Sequence, residues 1–127
     1  MNRRGAPEES VRQAVIRHLE SDLGVPKACI RPELALSAWD PKVKDRVDLA
    51  VFAAKGTAMV PVLLVECKAP EVALDESVVA QVRRYLRILP ARWIAITNGR
   101  QLLSWVLRDG DWQAAPLPSW EEMKSGI

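Results

Sequence analysis

Apolar residues along this chain alternate between the spacing of a helical face and the spacing of strands. Val11, Ala14, Val15, Leu19 and Leu23 keep one helical face. Pro7-Glu8-Glu9-Ser10 opens that helix, since proline suits a first turn and early acids complement the positive end of the helix dipole. Gly24, with Val25-Pro26 behind it, stops it. Residues 29–36 then predict a first strand, and Pro32 assigns it to an edge or an entry position. After a loop at Trp39-Asp40-Pro41-Lys42, residues 46–52 predict a second strand, and Lys55-Gly56-Thr57 turns the chain into a third. The third holds Val62-Leu63-Leu64-Val65, an uninterrupted apolar run suited to a strand covered on both faces. A second helix is predicted over residues 75–89, with Val78, Val82, Leu86 and Leu89 as its stripe and Pro90 as its stop. Residues 93–97 form a fourth strand, Asn98-Gly99 a hairpin into residues 102–107, and Arg108-Asp109-Gly110-Asp111 a turn into a short strand at Trp112. This order predicts the α/β class: a mixed sheet flanked by helices, in one domain over residues 1–127. Its core spans about residues 7–114, and residues 115–127 are expected to be peripheral.

Composition adds little to that picture. Hydrophobic residues make up 49% and charged residues 27%, as in ordinary globular chains, and the net charge of +2 does not by itself announce nucleic acid. The local cluster Arg83, Arg84, Arg87 is more telling, although a solvated basic helix face explains it as well. Cys29 and Cys67 form no CxxC pair, so zinc-ligand spacing is absent and a reduced, cytoplasmic protein is expected. Met1-Asn2-Arg3-Arg4 leads into no apolar segment, and no run is long enough to span a membrane. Lys55-Gly56-Thr57 lacks the preceding glycine of a phosphate loop, so no nucleotide cofactor is expected. His18, the sole histidine, is expected to be a packing residue, because nothing nearby pairs with it.

The chemistry concentrates where the third strand ends. Glu66 and Lys68 are two positions apart and point to the same side. Half-buried charges of this kind are costly unless paired or bound to something. If the second and third strands are hairpin neighbours, Asp48 can lie beside Glu66. Two adjacent carboxylates repel, and one proton or one hard cation relieves them. Oxygen ligands suit Mg²⁺, which uses one or two carboxylates, keeps several waters and leaves room for a phosphate oxygen. Lys68 can then orient a water or offset phosphate charge. The alternative is a plain Glu66–Lys68 salt bridge at a strand end.

Asp48 followed by Glu66-Cys67-Lys68 resembles the Asp…Glu-x-Lys signature of the PD-(D/E)xK nuclease superfamily. Pro7–Gln13, Arg46–Val51, Val65–Pro70, Gln81–Tyr85 and Thr97–Arg100 together resemble the N-terminal nuclease domain of type I restriction enzyme R subunits and its stand-alone relatives. The blocks span about residues 7–108 in the right order. The resemblance implies a restriction-endonuclease-like core and a Mg²⁺-dependent endodeoxyribonuclease acting on DNA, with Mn²⁺ as a substitute. It implies that Asp48 and Glu66 hold the ion with the backbone carbonyl of Cys67, and that Lys68 positions the attacking water. Gln81 and Tyr85 match the Gln-x-x-x-Tyr motif, with Gln81 assigned to catalysis and Tyr85 to nucleic acid beside Arg83, Arg84, Arg87 and Arg100. Glu9 resembles the acid that the first helix sends toward the site, a role Glu8 or Glu33 also fits, though an early helix acid is ordinarily a dipole partner.

The chain departs from the pattern at Val47, where the superfamily's name has proline. It contains no phosphate-binding loop, so ATP-driven translocation is not expected of these residues. The competing expectation is a non-catalytic nucleic-acid-binding or assembly module that keeps the fold and uses its arginines for phosphates. A homodimer or a restriction-system subunit is the expected partner besides DNA.

Overall fold

The structure, a computed structural model, describes residues 6–127; the charged start Met1-Asn2-Arg3-Arg4 lies outside the described residues. Helix α1 (Ala6–Arg17) carries Glu8 and Glu9 in its first turn and buries Val11 and Val15. Its end widens into a π-turn over His18–Asp22, where Leu23 N donates to His18 O. Gly24 then takes φ +79, a conformation open to glycine, and releases the chain. Here the structure corrects the expectation for His18. Its Nδ1 lies 2.6 Å from Asp22 Oδ2, because residues four apart share a helical face.

Six strands follow: β1 (Ile30–Ala35), β2 (Arg46–Lys55), β3 (Ala58–Cys67), β4 (Trp93–Thr97), β5 (Leu102–Arg108) and β6 (Asp111–Ala114). They lie side by side in chain order, antiparallel throughout except for the parallel pair β3–β4. Parallel neighbours need a crossover, which helix α2 (Glu76–Tyr85) supplies. β1 is an edge strand and accommodates Pro32 there. Pro61 lies inside β3, where it has no N–H to give the ladder; opposite it, the β2 register shifts between Val51 and Phe52.

The sheet separates two apolar layers. On one side Val11, Val15 and Leu19 pack against Leu49, Val51, Leu63 and Val65. On the other, Val78, Val82, Tyr85 and Leu89 pack against Ala50, Leu64, Ile94 and Ile96. β3 therefore feeds both cores, as its uninterrupted apolar run predicts. Helix α2 stops at Tyr85 instead of Leu89, because the chain tightens there into bonds such as Ile88 N to Tyr85 O.

The end of the chain departs most from expectation. Residues 120–125 form helix α3 (Trp120–Ser125), started by a capping box between Ser119 and Glu122. Met123 is buried in the α1-side core, and Trp120 N donates to Leu23 O at 2.8 Å. The segment 115–127, expected to be peripheral, is thus packed in part. Among the described residues, no helix is long and apolar enough to cross a membrane.

Candidate functional site

Pairing of Leu49 with Val65 sets Asp48 opposite Glu66 at the next position of the β2–β3 ladder. Both are buried, at 3% and 5% exposure. β2 and β3 are interior strands, so the acids sit at strand ends within the sheet and not on an edge strand. They share the face of Ala50 and Leu64, the face that α2 covers.

Asp48 is oriented by the main chain: its Oδ2 accepts from Cys67 N at 2.7 Å. Cys67 brings its backbone to the site and sends its side chain into the α1-side core. Lys68 follows β3 directly, its N–H donating to Thr97 O at 2.8 Å as if the strand continued. Its Nζ stands 3.5 Å from Glu66 Oε2, long for a direct ion pair. The second oxygen, Glu66 Oε1, is buried with no hydrogen-bond partner.

These surroundings push the Glu66 carboxyl up to about 8. Burial is the main cause, followed by the negative charge of Asp48; the Lys68 ammonium pulls the other way without prevailing. With both acids ionised, the pair would exceed the single Lys68 ammonium by one negative charge, and Glu66 Oε1 would be an acceptor without a donor. Both features fit a hard, oxygen-seeking cation. Among the described residues no group of three or more His, Cys, Asp or Glu gathers for a metal. Such a cation would therefore draw the rest of its coordination from water, carbonyl or phosphate oxygens, as Mg²⁺ commonly does.

Helix α2 closes the site from above. Gln81 Nε2 donates to Tyr85 Oη at 3.0 Å. Tyr85 is only 3% exposed and belongs to the core stripe with Val78 and Val82. Burial, then the Glu66 charge, pushes its hydroxyl up to about 12. The expected Tyr85 contact with nucleic acid is corrected accordingly: the side chain offers almost no surface, and its hydroxyl accepts from Gln81. The phase at which α2 docks turns Tyr85 into the core at the place in the stripe where Leu86 is expected.

Arg83, Arg84, Arg87 and Arg100 are all exposed. Arg84 and Arg87 border a groove of about 280 Å³ with Asp40, Asp45 and Tyr85. Arg100 lines a different groove, about 290 Å³, with Val11, His18 and Gly99. Arg83 lines neither. Glu9 is held by Arg12, whose Nη2 lies 2.6 Å from both Glu9 oxygens, and by Gln13 Nε2 at 2.9 Å. Glu33 lies 3.6 Å from the same guanidinium, in a backbone with φ +48. The first-helix acid is thus engaged in an ion-pair cluster. One residue with a larger part than its sequence signal suggests is Asn98, expected in a hairpin turn and in the Thr97–Arg100 block but given no role of its own. It is 5% exposed, and its side chain bonds beyond the turn.

No curated protein and no solved structure matches the chain. Residues 7–119 match the family model described as type I restriction enzyme R protein N terminus (HSDR_N). With that match extending over most of its length, the chain belongs to the family of type I restriction enzyme R protein N termini.

Proposed function

We propose that this chain is a Mg²⁺-dependent nuclease domain with a restriction-endonuclease-like, PD-(D/E)xK core, which hydrolyses DNA phosphodiester bonds in a restriction system. One observation carries the reading: a buried Glu66 with an unpartnered oxygen, set beside Asp48 and 3.5 Å from the Lys68 ammonium. Family membership supplies the DNA context and the prospect of a partner subunit.

Asp48 and Glu66 would hold the ion, with the Cys67 carbonyl as the expected third donor. Bound there, Mg²⁺ supplies Lewis-acid polarisation of a phosphate oxygen and a more acidic water. The Cys67 N–H bond fixes the Asp48 carboxylate before substrate arrives. Lys68, one-quarter exposed and on the same side as Glu66, can donate to an incoming water or to a non-bridging phosphate oxygen. Gln81 would act here through Tyr85, to whose buried hydroxyl it donates and whose titration feels the Glu66 charge. The exposed Arg84, Arg87 and Arg100 would supply contacts to DNA phosphates.

The test is cleavage of supercoiled plasmid and of single- and double-stranded oligonucleotides with Mg²⁺ and with Mn²⁺. Wild type should cut and Asp48→Ala should not. DNA binding without cleavage, equal in wild type and Asp48→Ala, would leave a non-catalytic binding module instead.

A further inference from the structure

The segment after Lys68 has no regular structure until α2 begins at Glu76, yet it starts from the residue on which the proposed water orientation depends. A lysine side chain is long and flexible, so its ammonium is only as well placed as the backbone that carries it. Lys68 N is held by Thr97 O. The next anchor comes from the adjacent residue: Asn98 Nδ2 donates to Val72 O at 2.8 Å, across 26 positions of sequence. Segment 68–72 is therefore tied at both ends to one dipeptide at the end of β4.

Asn98 is well suited to act as this tie. Its Oδ1 accepts from Arg100 N at 2.9 Å and from Gln101 N at 3.0 Å, so its amide is locked in orientation. The Thr97 hydroxyl donates to Gln101 O and accepts from Gly99 N, stiffening the same turn. Gly99 has φ +87, and a Cβ there would come within 3.0 Å of Val11 Cγ2, so the turn is seated against α1. A hairpin turn requires only the oxygen of such an asparagine. The nitrogen bond to Val72 is additional, made at 5% exposure where an unmade bond is expensive.

We propose that Asn98 is a positioning residue for Lys68: its buried amide clamps the segment after Lys68 onto the β4–β5 turn and so fixes where the ammonium stands. The inference rests on the nuclease reading for its kinetic consequence, but not for its structural one.

Asn98→Asp tests it in the full chain, because the substitution keeps the acceptor and removes the donor to Val72 O. Amide exchange across residues 69–74 should accelerate about tenfold or more while β2 and β3 stay protected. With Mg²⁺ and plasmid DNA, kcat should fall about tenfold or more with little change in KM, since misplacement by an ångström is felt in the reaction step. The double variant with Lys68→Ala should be no slower than Lys68→Ala alone, because the loss passes through Lys68. A merely structural role predicts the opposite, with losses that multiply. An unchanged kcat, unchanged exchange or multiplied losses would overturn the proposal. Should wild type not cut at all, the nuclease reading fails separately, and acylation of Lys68 by an amine reagent decides the clamp: equal rates in wild type and Asn98→Asp refute it. If Asn98→Asp does not fold, Asn98→Ser removes the same donor and takes the same measurements.

Discussion

Two clusters in this molecule have the same formal inventory: two carboxylates and one basic side chain. In one, Arg12 gathers Glu9 and Glu33; in the other, Lys68 stands beside Asp48 and Glu66. Arg12 meets both oxygens of Glu9 at 2.6 Å, and its acid partners remain more than 40% exposed, so water carries the excess charge. The Glu66 side chain is 6% exposed, its lysine is 3.5 Å away, and one of its oxygens has no partner. Arg12 also has an unpartnered atom, the buried Nε, but its charge is met through Nη2. Desolvation, not charge count, separates a structural ion cluster from a candidate site.

Substitutions can break that comparison from either side. Lys68→Ala should lower cleavage by about 10²–10³-fold, the effect of deleting one preorganised electrostatic donor, while thermal melts stay close to wild type. If Glu66 and Lys68 were only a structural pair, stability would fall instead and any activity would follow the folded fraction. Arg12→Ala should do the reverse. Loss of its charged hydrogen bonds should reduce stability by about 1.5–3 kcal/mol in denaturant melts, and cleavage per folded molecule should hold.

A pH series sharpens the contrast. Between the ordinary glutamate value of 4.5 and about 8, native Glu66 keeps a proton that the unfolded chain has released. Stability contributed by that proton is fully present below 4.5 and is lost as pH rises through 8. In metal-free buffer the wild-type melting temperature should therefore decline across this window more steeply than that of Glu66→Gln, and the variant should be the more stable at pH 8. Parallel curves for the two proteins would show that Glu66 is not desolvated as described. The smallest effect concerns the arginines. Replacing Arg84 and Arg87 by alanine should lower the log–log salt slope of DNA binding by about two, and Arg83→Ala should leave it unchanged. Equal slopes in all the variants would make this helix face merely solvated.

Much of this arrangement was legible in the sequence because it is local. The period-two rule put Glu66 and Lys68 on one side, and the Gly56 turn put Asp48 opposite Glu66. What escaped was set by packing. The inward turn of Tyr85 depends on the phase at which α2 docks, which a one-residue difference in stripe assignment reverses. Helix α3 had its signal, the Ser119–Glu122 capping box, but a six-residue helix has too little periodicity to show that Met123 is buried. The π-turn that joins His18 to Asp22 and the reach of Asn98 to Val72 likewise come from tertiary geometry, not from spacing.

In the proposed function, Asp48 and Glu66 share one divalent ion. Mn²⁺ binding followed by electron paramagnetic resonance at pH 8 tests it without relying on catalysis. One site per chain is expected in wild type and in Lys68→Ala, and none in Glu66→Ala. Equal binding by wild type and Glu66→Ala, or no binding by either at millimolar Mn²⁺, would contradict it.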